Sequence, residues 1–162
     1  MGLREGLREA VRAQGKRSAV VLAAGLMCFA SAGGAGAQPS AEAAATTVYR
    51  NLATGHCLDS NGRDVYPHSC NGGSYQKWAV SSSGGTVTLR NLATGHCLDS
   101  NGRDVYPHSC NGGSYQKWTV SSSGGTVTLR NLATGHCLDS NGRDVYPHSC
   151  NGGSYQKWTP TG

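Results

Sequence analysis

The sequence predicts an all-β fold with threefold internal symmetry. Three observations predict it. The string RNLATGHCLDSNGRDVYPHSCNGGSYQKW occurs three times, at Arg50–Trp78, Arg90–Trp118 and Arg130–Trp158, with a period of 40 residues. Each copy holds four short strand signals bounded by turn formers. No segment of helical length carries a 3.6-residue apolar period. The composition agrees: the 162-residue chain has 24 glycines, and after residue 46 it is rich in Ser, Asn and Gly rather than helix formers.

The first 37 residues read as an export leader. Arg4, Arg8, Arg12, Lys16 and Arg17 form a basic start. Ser18–Ala30 is apolar but shorter than the ~20 residues that span a bilayer. Ala35-Gly36-Ala37 then offers the small-residue cleavage pattern of a secretory signal. A membrane anchor is the competing reading. Cys28 follows Met27, where a lipoprotein signal has a small residue. Residues 1–37 are thus expected to be a signal peptide, 38–46 a flexible lead-in and 47–162 the folded domain, with repeats at about 47–85, 86–125 and 126–162.

Each repeat supplies four strands. In the second copy these are Val87–Arg90, His96–Asp99, Asp104–Tyr106 and Gln116–Val120. Asn101-Gly102, Asn111-Gly112-Gly113 and the following Ser-Gly run supply turns. A unit of 40 residues is too small to bury an apolar face alone, so the copies share a core. Val87, Leu89, Leu92, Leu98, Val105, Trp118 and Val120 are the expected contributors. Three units of four strands around one axis make a β-trefoil. Thr47-Val48-Tyr49 supplies the strand that closes the ring. A propeller is the rival, but it needs about four to eight blades, and Trp118 is followed by Thr119 where the WD pattern has Asp.

Two cysteines per repeat remain after the leader: Cys57 and Cys70, Cys97 and Cys110, Cys137 and Cys150. Six cysteines allow 15 pairings, and identical repeats favour closure within each unit. An exported chain meets an oxidising compartment, where such a loop adds about 3 kcal/mol on the chain-entropy account. Zinc is the alternative, with His56, Cys57, His68 and Cys70 as ligands. Neighbouring strand residues such as His56 and Cys57 point to opposite faces, which speaks against one shared ion. No metal and no cofactor are expected.

The bridge also locates a candidate site. A disulfide holds its Cα atoms about 5.5 Å apart. Asp59 lies two residues beyond Cys57 on the same strand face, and Asn71 follows Cys70. Tyr66 precedes the bridge on the third strand, and Tyr75 closes the Asn71-Gly72-Gly73 loop. A carboxylate accepts from adjacent hydroxyls, an amide both donates and accepts, and a tyrosine ring covers an apolar C–H face. That set suits a sugar. The second copy places Asp99, Tyr106, Asn111 and Tyr115 alike, and the third Asp139, Tyr146, Asn151 and Tyr155. Taken singly, Asp59 also reads as a turn carboxylate, Asn71 as a loop former and the tyrosines as packing. Asp64 reads as a turn residue, Trp78 as core, and Gln76 as a residue that satisfies backbone groups. His68 either lines the rim or faces solvent.

Cys57-Leu58-Asp59 followed by Gln76-Lys77-Trp78, once per repeat over residues 47–160, resembles the ricin-type β-trefoil lectin family. The finer strings LDSN, VY and NGGSYQKW are similar to those of mannose-binding actinomycete members. The resemblance implies that Asp59, Tyr66, Asn71 and Tyr75, with their copies, hold the sugar. It also implies the α1,2-linked mannose ends of high-mannose glycans as ligand. Two departures flank the pocket: the Gly62-Arg63-Asp64 loop is one residue shorter, and Pro67-His68-Ser69 replaces Thr-Leu-Pro. They bear on sugar preference rather than fold.

The function expected is therefore a secreted, monomeric, trivalent lectin with multivalent glycans as partners. Three joined pockets gain avidity by ~10² or more on a glycan surface. Without the leader the formal charge falls from +5 to +2, and Arg50, Arg63 and Lys77 form no run. That excludes the basic stripe of a nucleic-acid binder. No membrane partner is expected of the mature form. Glycosidases use two carboxylates about 5–9 Å apart; Asp59 and Asp64 are the only two per repeat, with no setting that raises one of them. An enzyme is thus not expected. A polysaccharide-targeting module for xylan or galactose-type sugars and a protein-binding trefoil are the alternatives.

Overall fold

The computed structural model describes residues 44–162. The export leader expected at 1–37, with Cys28, and the lead-in as far as residue 43 lie outside the described residues. The first repeat forms β1 (Ala45–Asn51), β2 (Cys57–Ser60), β3 (Val65–His68) and β4 (Trp78–Ser83). The second forms β5 (Thr86–Asn91), β6 (Cys97–Ser100), β7 (Val105–His108) and β8 (Trp118–Ser123). The third forms β9 (Thr126–Asn131), β10 (Cys137–Ser140), β11 (Val145–His148) and β12 (Trp158–Thr161). No helix among the described residues is long and apolar enough to cross a membrane.

The pairing is that of a β-trefoil. The first and fourth strands of the repeats run β1-β4-β5-β8-β9-β12 and return to β1, all antiparallel. This closed barrel leaves no free edge among its six members. Val48 stands opposite Thr161 where β12 meets β1, so the ring closes through the strand containing Thr47-Val48-Tyr49. Strand β1 starts at Ala45 and so takes in the last residues assigned to the lead-in. The second and third strands form three hairpins, β2–β3, β6–β7 and β10–β11, and β3, β7 and β11 approach one another about the axis. Pro67 is tolerated in β3 because that strand pairs only with β2, leaving its other edge unpaired.

The core repeats in threes. Trp78, Trp118 and Trp158 are fully buried, as are Leu58, Leu98 and Leu138. Each indole N–H donates to the carbonyl of its own repeat's leucine at 3.1 Å. Leu89 and Leu129 fill equivalent barrel positions, and Tyr49 fills the third. Burial pushes the Tyr49 phenol up to about 12 from its ordinary 10.0.

Two expected core residues are not core. Leu92 is 51% exposed. It falls one residue past the end of β5, where its amide N–H is bound by the Lys77 carbonyl and its side chain leaves the barrel. Val120 is 40% exposed, whereas its counterpart Val80 packs on the core. The register explains the difference. Strand β1 runs beside β4 as far as Ala45 opposite Val80, but β5 meets β8 only at Val87 opposite Trp118.

One further element differs from expectation. Gln116 does not start the fourth strand; it ends a single 3-10 turn at Ser114–Gln116, with counterparts at Ser74–Gln76 and Ser154–Gln156. Gly73 accepts from the Gln76 amide at 3.1 Å and Ser74 from the Lys77 amide at 3.3 Å. This turn swings each glutamine side chain inward to full burial.

Candidate functional site

Each hairpin is tied down by its disulfide. Cys57 pairs with Cys70, Cys97 with Cys110 and Cys137 with Cys150, each with Cα atoms 5.1 Å apart. All six sulfurs are thereby used, which removes the thiolates that the zinc reading of His56, Cys57, His68 and Cys70 requires. His68 is exposed, its ring edge-on to Tyr66 at 6.2 Å between centroids.

The hairpin register sets Asp59 directly opposite Tyr66. Asp59 is only 3% exposed, a level at which a carboxylate is normally paired. Its partner is Gln76, which donates from Nε2 to Asp59 Oδ2 at 2.9 Å and to the Ser69 carbonyl at 2.9 Å. The same amide accepts the Asn71 backbone N–H at Oε1, again at 2.9 Å. Gln76 thus satisfies backbone groups as expected and, in addition, locks the Asp59 rotamer. Its role toward Asp59 was not legible, because the two residues are 17 apart and meet only through the 3-10 turn.

The other carboxylate oxygen is unusual. Asp59 Oδ1, Asp99 Oδ1 and Asp139 Oδ1 are buried and have no hydrogen-bond partner. An unmet buried acceptor is costly, by about 1–3 kcal/mol and more for a charged group. Tyr66 comes near without closing a bond of normal geometry. Its phenol is raised above the ordinary value by partial burial first, then by the Asp59 charge and hydrogen-bonding proximity, with smaller contributions from Tyr75 and Asp64. Tyr106 and Tyr146 are raised the same way beside Asp99 and Asp139.

Asn71 is held as a loop residue next to Gln76. Its Oδ1 accepts the Gly73 N–H at 2.8 Å. A Cβ on Gly73 would stand 2.9 Å from that oxygen, so a larger residue there would push the Asn71 side chain aside. The Asn71 Nδ2 donates to no described residue. Tyr75 lies on the 3-10 turn, 52% exposed. Asp59 and Asn71 therefore meet at Gln76, with Tyr66 across the strand pair from Asp59 and Tyr75 exposed on the 3-10 turn. Asp64 is an exposed turn residue whose amide N–H is accepted by Asn61 Oδ1 at 2.7 Å.

A second asparagine, one per repeat, joins neighbouring repeats and has no clear signal in the sequence. Asn91 of the second repeat donates from Nδ2 to the Tyr75 carbonyl of the first at 2.7 Å. Asn131 does the same for Tyr115, and Asn51 for Tyr155 across the ring closure. The only local signal is the Asn-Leu-Ala-Thr-Gly turn, in which Asn91 Oδ1 accepts from the Ala93 and Thr94 amides.

The comparisons with known proteins agree with this architecture. The ricin-type beta-trefoil lectin domain family matches residues 45–159. No curated protein sequence matches the chain. Among solved structures it is similar to ThreeFoil, a designed threefold-symmetric protein, at 27% identity and TM-score 0.67, over 72% of this chain and 98% of that one. It is similar in fold to the Macrolepiota procera ricin B-like lectin solved with lactose, at 17% identity and TM-score 0.64, over 75% and 97% of the two chains. It also superposes on part of an exo-beta-1,3-galactanase from Clostridium thermocellum, at 23% identity and TM-score 0.65, over 71% of this chain but 29% of the enzyme. With three repeats closed on one axis and the family matched across nearly the whole described region, the chain belongs to the ricin-type β-trefoil lectin domain family.

Proposed function

We propose that the chain is a secreted, non-enzymatic lectin carrying three equivalent sugar cups. Asp59, Tyr66, Asn71 and Tyr75 form the first, Asp99, Tyr106, Asn111 and Tyr115 the second, and Asp139, Tyr146, Asn151 and Tyr155 the third. One observation carries this reading. In every repeat a buried carboxylate is locked by a glutamine through one oxygen while the other oxygen lacks a partner. A sugar hydroxyl supplies the missing donor, and in a low-dielectric site that bond is stronger than in water. Oδ1 is buried, with Tyr66 directly across the strand pair from Asp59. The Asn71 Nδ2 then donates to a ring oxygen or hydroxyl, and Tyr75 covers the C–H face.

The preferred ligand is the α1,2-linked mannose end of high-mannose glycans. The strings LDSN, VY and NGGSYQKW support this, because they resemble those of actinohivin, a mannose-binding actinomycete lectin. A galactose-type ligand is the second reading, favoured by the lactose that accompanies the Macrolepiota procera relative. Catalysis is disfavoured because the remaining carboxylate of each repeat, Asp64, stands exposed on the hairpin tip while Asp59 is buried. Export is supported by the basic and apolar leader, and a monomer by the barrel's lack of a free strand edge.

A glycan array tests the reading, with wild type beside the triple variant Asp59→Asn, Asp99→Asn, Asp139→Asn. Wild type is expected to bind mannose-terminated glycans. The variant is expected to lose at least about tenfold in affinity, the scale of one hydrogen bond to a charged group. Equal binding by the two proteins would sink the role of these aspartates.

A further inference from the structure

Tyr75 borders a second space. A groove of about 730 Å³ lies between the first two repeats, walled on one side by Asn61–Asp64 and Tyr75 and on the other by Ala93, Thr94 and His96. Equivalent grooves of about 710 and 680 Å³ lie between the second and third repeats and between the third and first. None is lined by Asp59, Tyr66 or Asn71. The volumes fall within the roughly 300–1,000 Å³ of small-molecule sites.

Both walls are set before any ligand arrives. Asn91 is fully buried and holds the two sides together. Its Nδ2 donates to the Tyr75 carbonyl at 2.7 Å, while its Oδ1 accepts from the Ala93 and Thr94 amides at 3.1 Å and from the Thr94 hydroxyl at 3.3 Å. On the hairpin tip, Asn61 Oδ1 accepts from the Arg63 amide at 2.8 Å and the Asp64 amide at 2.7 Å. Gly62 turns the tip with φ +89°, and a Cβ there would stand 3.3 Å from Thr94 Cγ2. The tip therefore rests against the opposite wall, and little ordering is left for binding to impose.

The lining is polar and underused. Arg63 and Asp64 are exposed and engage Asn61 only through their backbone amides. His96 Nδ1 is buried without a partner. A guanidinium and a carboxylate lining one groove beside an aromatic ring suit a pyranose rather than an apolar molecule.

We infer that each inter-repeat groove is a second saccharide subsite for the ring that adjoins the one in the Asp59 cup, with Tyr75 between the two. This rests on the lectin reading above and extends it. The ligand is a neutral oligosaccharide of at least two rings. Arg63 donates to its hydroxyls, Asp64 accepts from them, and the exposed Tyr75 ring packs on both sugars. Because one wall belongs to the next repeat, the subsite exists only where two repeats meet.

Calorimetry with three soluble probes tests it: methyl α-mannoside, α1,2-mannobiose and α1,2-mannotriose. Each is too small to bridge two cups, so avidity plays no part. Wild type is expected to gain about tenfold from the first probe to the last, the scale of one charge-assisted contact set. The triple variant Arg63→Ala, Arg103→Ala, Arg143→Ala, altered only at exposed side chains, is expected to keep methyl α-mannoside affinity within about twofold and lose most of that gain. A second triple variant, Asp64→Ala, Asp104→Ala, Asp144→Ala, should behave alike. Wild type that binds methyl α-mannoside with no gain from added rings overturns the subsite alone, as do variants that retain the gain. Wild type that binds none of the probes rejects the mannose reading and the subsite together.

Discussion

The barrel and the hairpin cap answer the same threefold repetition in different ways. At one barrel position the three repeats present Tyr49, Leu89 and Leu129, and all three side chains are buried. At the cap, Gln76, Gln116 and Gln156 each make the same three hydrogen bonds to an aspartate, a carbonyl and an amide. The barrel thus reads volume and hydrophobicity, and accepts a phenol where its symmetry mates have a leucine. The cap reads donor and acceptor identity, and has no spare group to replace a lost one. Stability resides chiefly in the first region, and the proposed ligand chemistry in the second.

Breaking the barrel gives the largest effect. Trp118→Ala empties the largest buried side chain of its repeat and unpairs the Leu98 carbonyl. It is expected to destabilise by about 3–5 kcal/mol, seen as a lower urea midpoint.

Breaking the cap gives less. Gln116→Ala leaves Asp99 with both oxygens unpaired and frees the Asn111 amide. The expected loss is about 2–3 kcal/mol. Calorimetry with methyl α-mannoside should then count two cups instead of three; a count of three would show that binding does not need the lock.

The smallest effect sharpens the comparison. Tyr49→Leu copies the other two repeats and is expected to change stability by less than about 1.5 kcal/mol at neutral pH. The two proteins should diverge in alkali. A phenol raised to about 12 in the fold stabilises fully below pH 10.0, and that contribution is lost as pH rises through the folded value. Wild type should therefore lose stability between about pH 10 and 12 relative to Tyr49→Leu. Parallel urea midpoints across that window would show that the phenol ionises as readily folded as unfolded.

The repeat period, four strands per unit, buried tryptophans and intra-unit disulfides were all legible in the sequence. They rest on local patterns and on the logic of identical copies. Leu92 and Val120 were misplaced because their burial depends on how far neighbouring strands run together, which no local pattern encodes. The 3-10 turn is not legible in the sequence because three residues are too few to show a period. The closeness of Asp59 and Tyr66 could be read from spacing, but the near-complete burial of Asp59 and its lock by Gln76 could not. The role of Asn91 is hidden for a related reason: its main partner belongs to the preceding copy.

The amide of Asn91 joins one copy to the copy before it, and its mates at Asn131 and Asn51 complete the circuit. In a closed ring there are as many seams as units, whereas in an open string there is one fewer. Deleting one copy without reclosing the ring would therefore erase two seams of three and leave two intact hairpins. A lone 40-residue unit would carry both halves of a seam and be able to join neither within itself, so three such chains would have to associate before any seam existed.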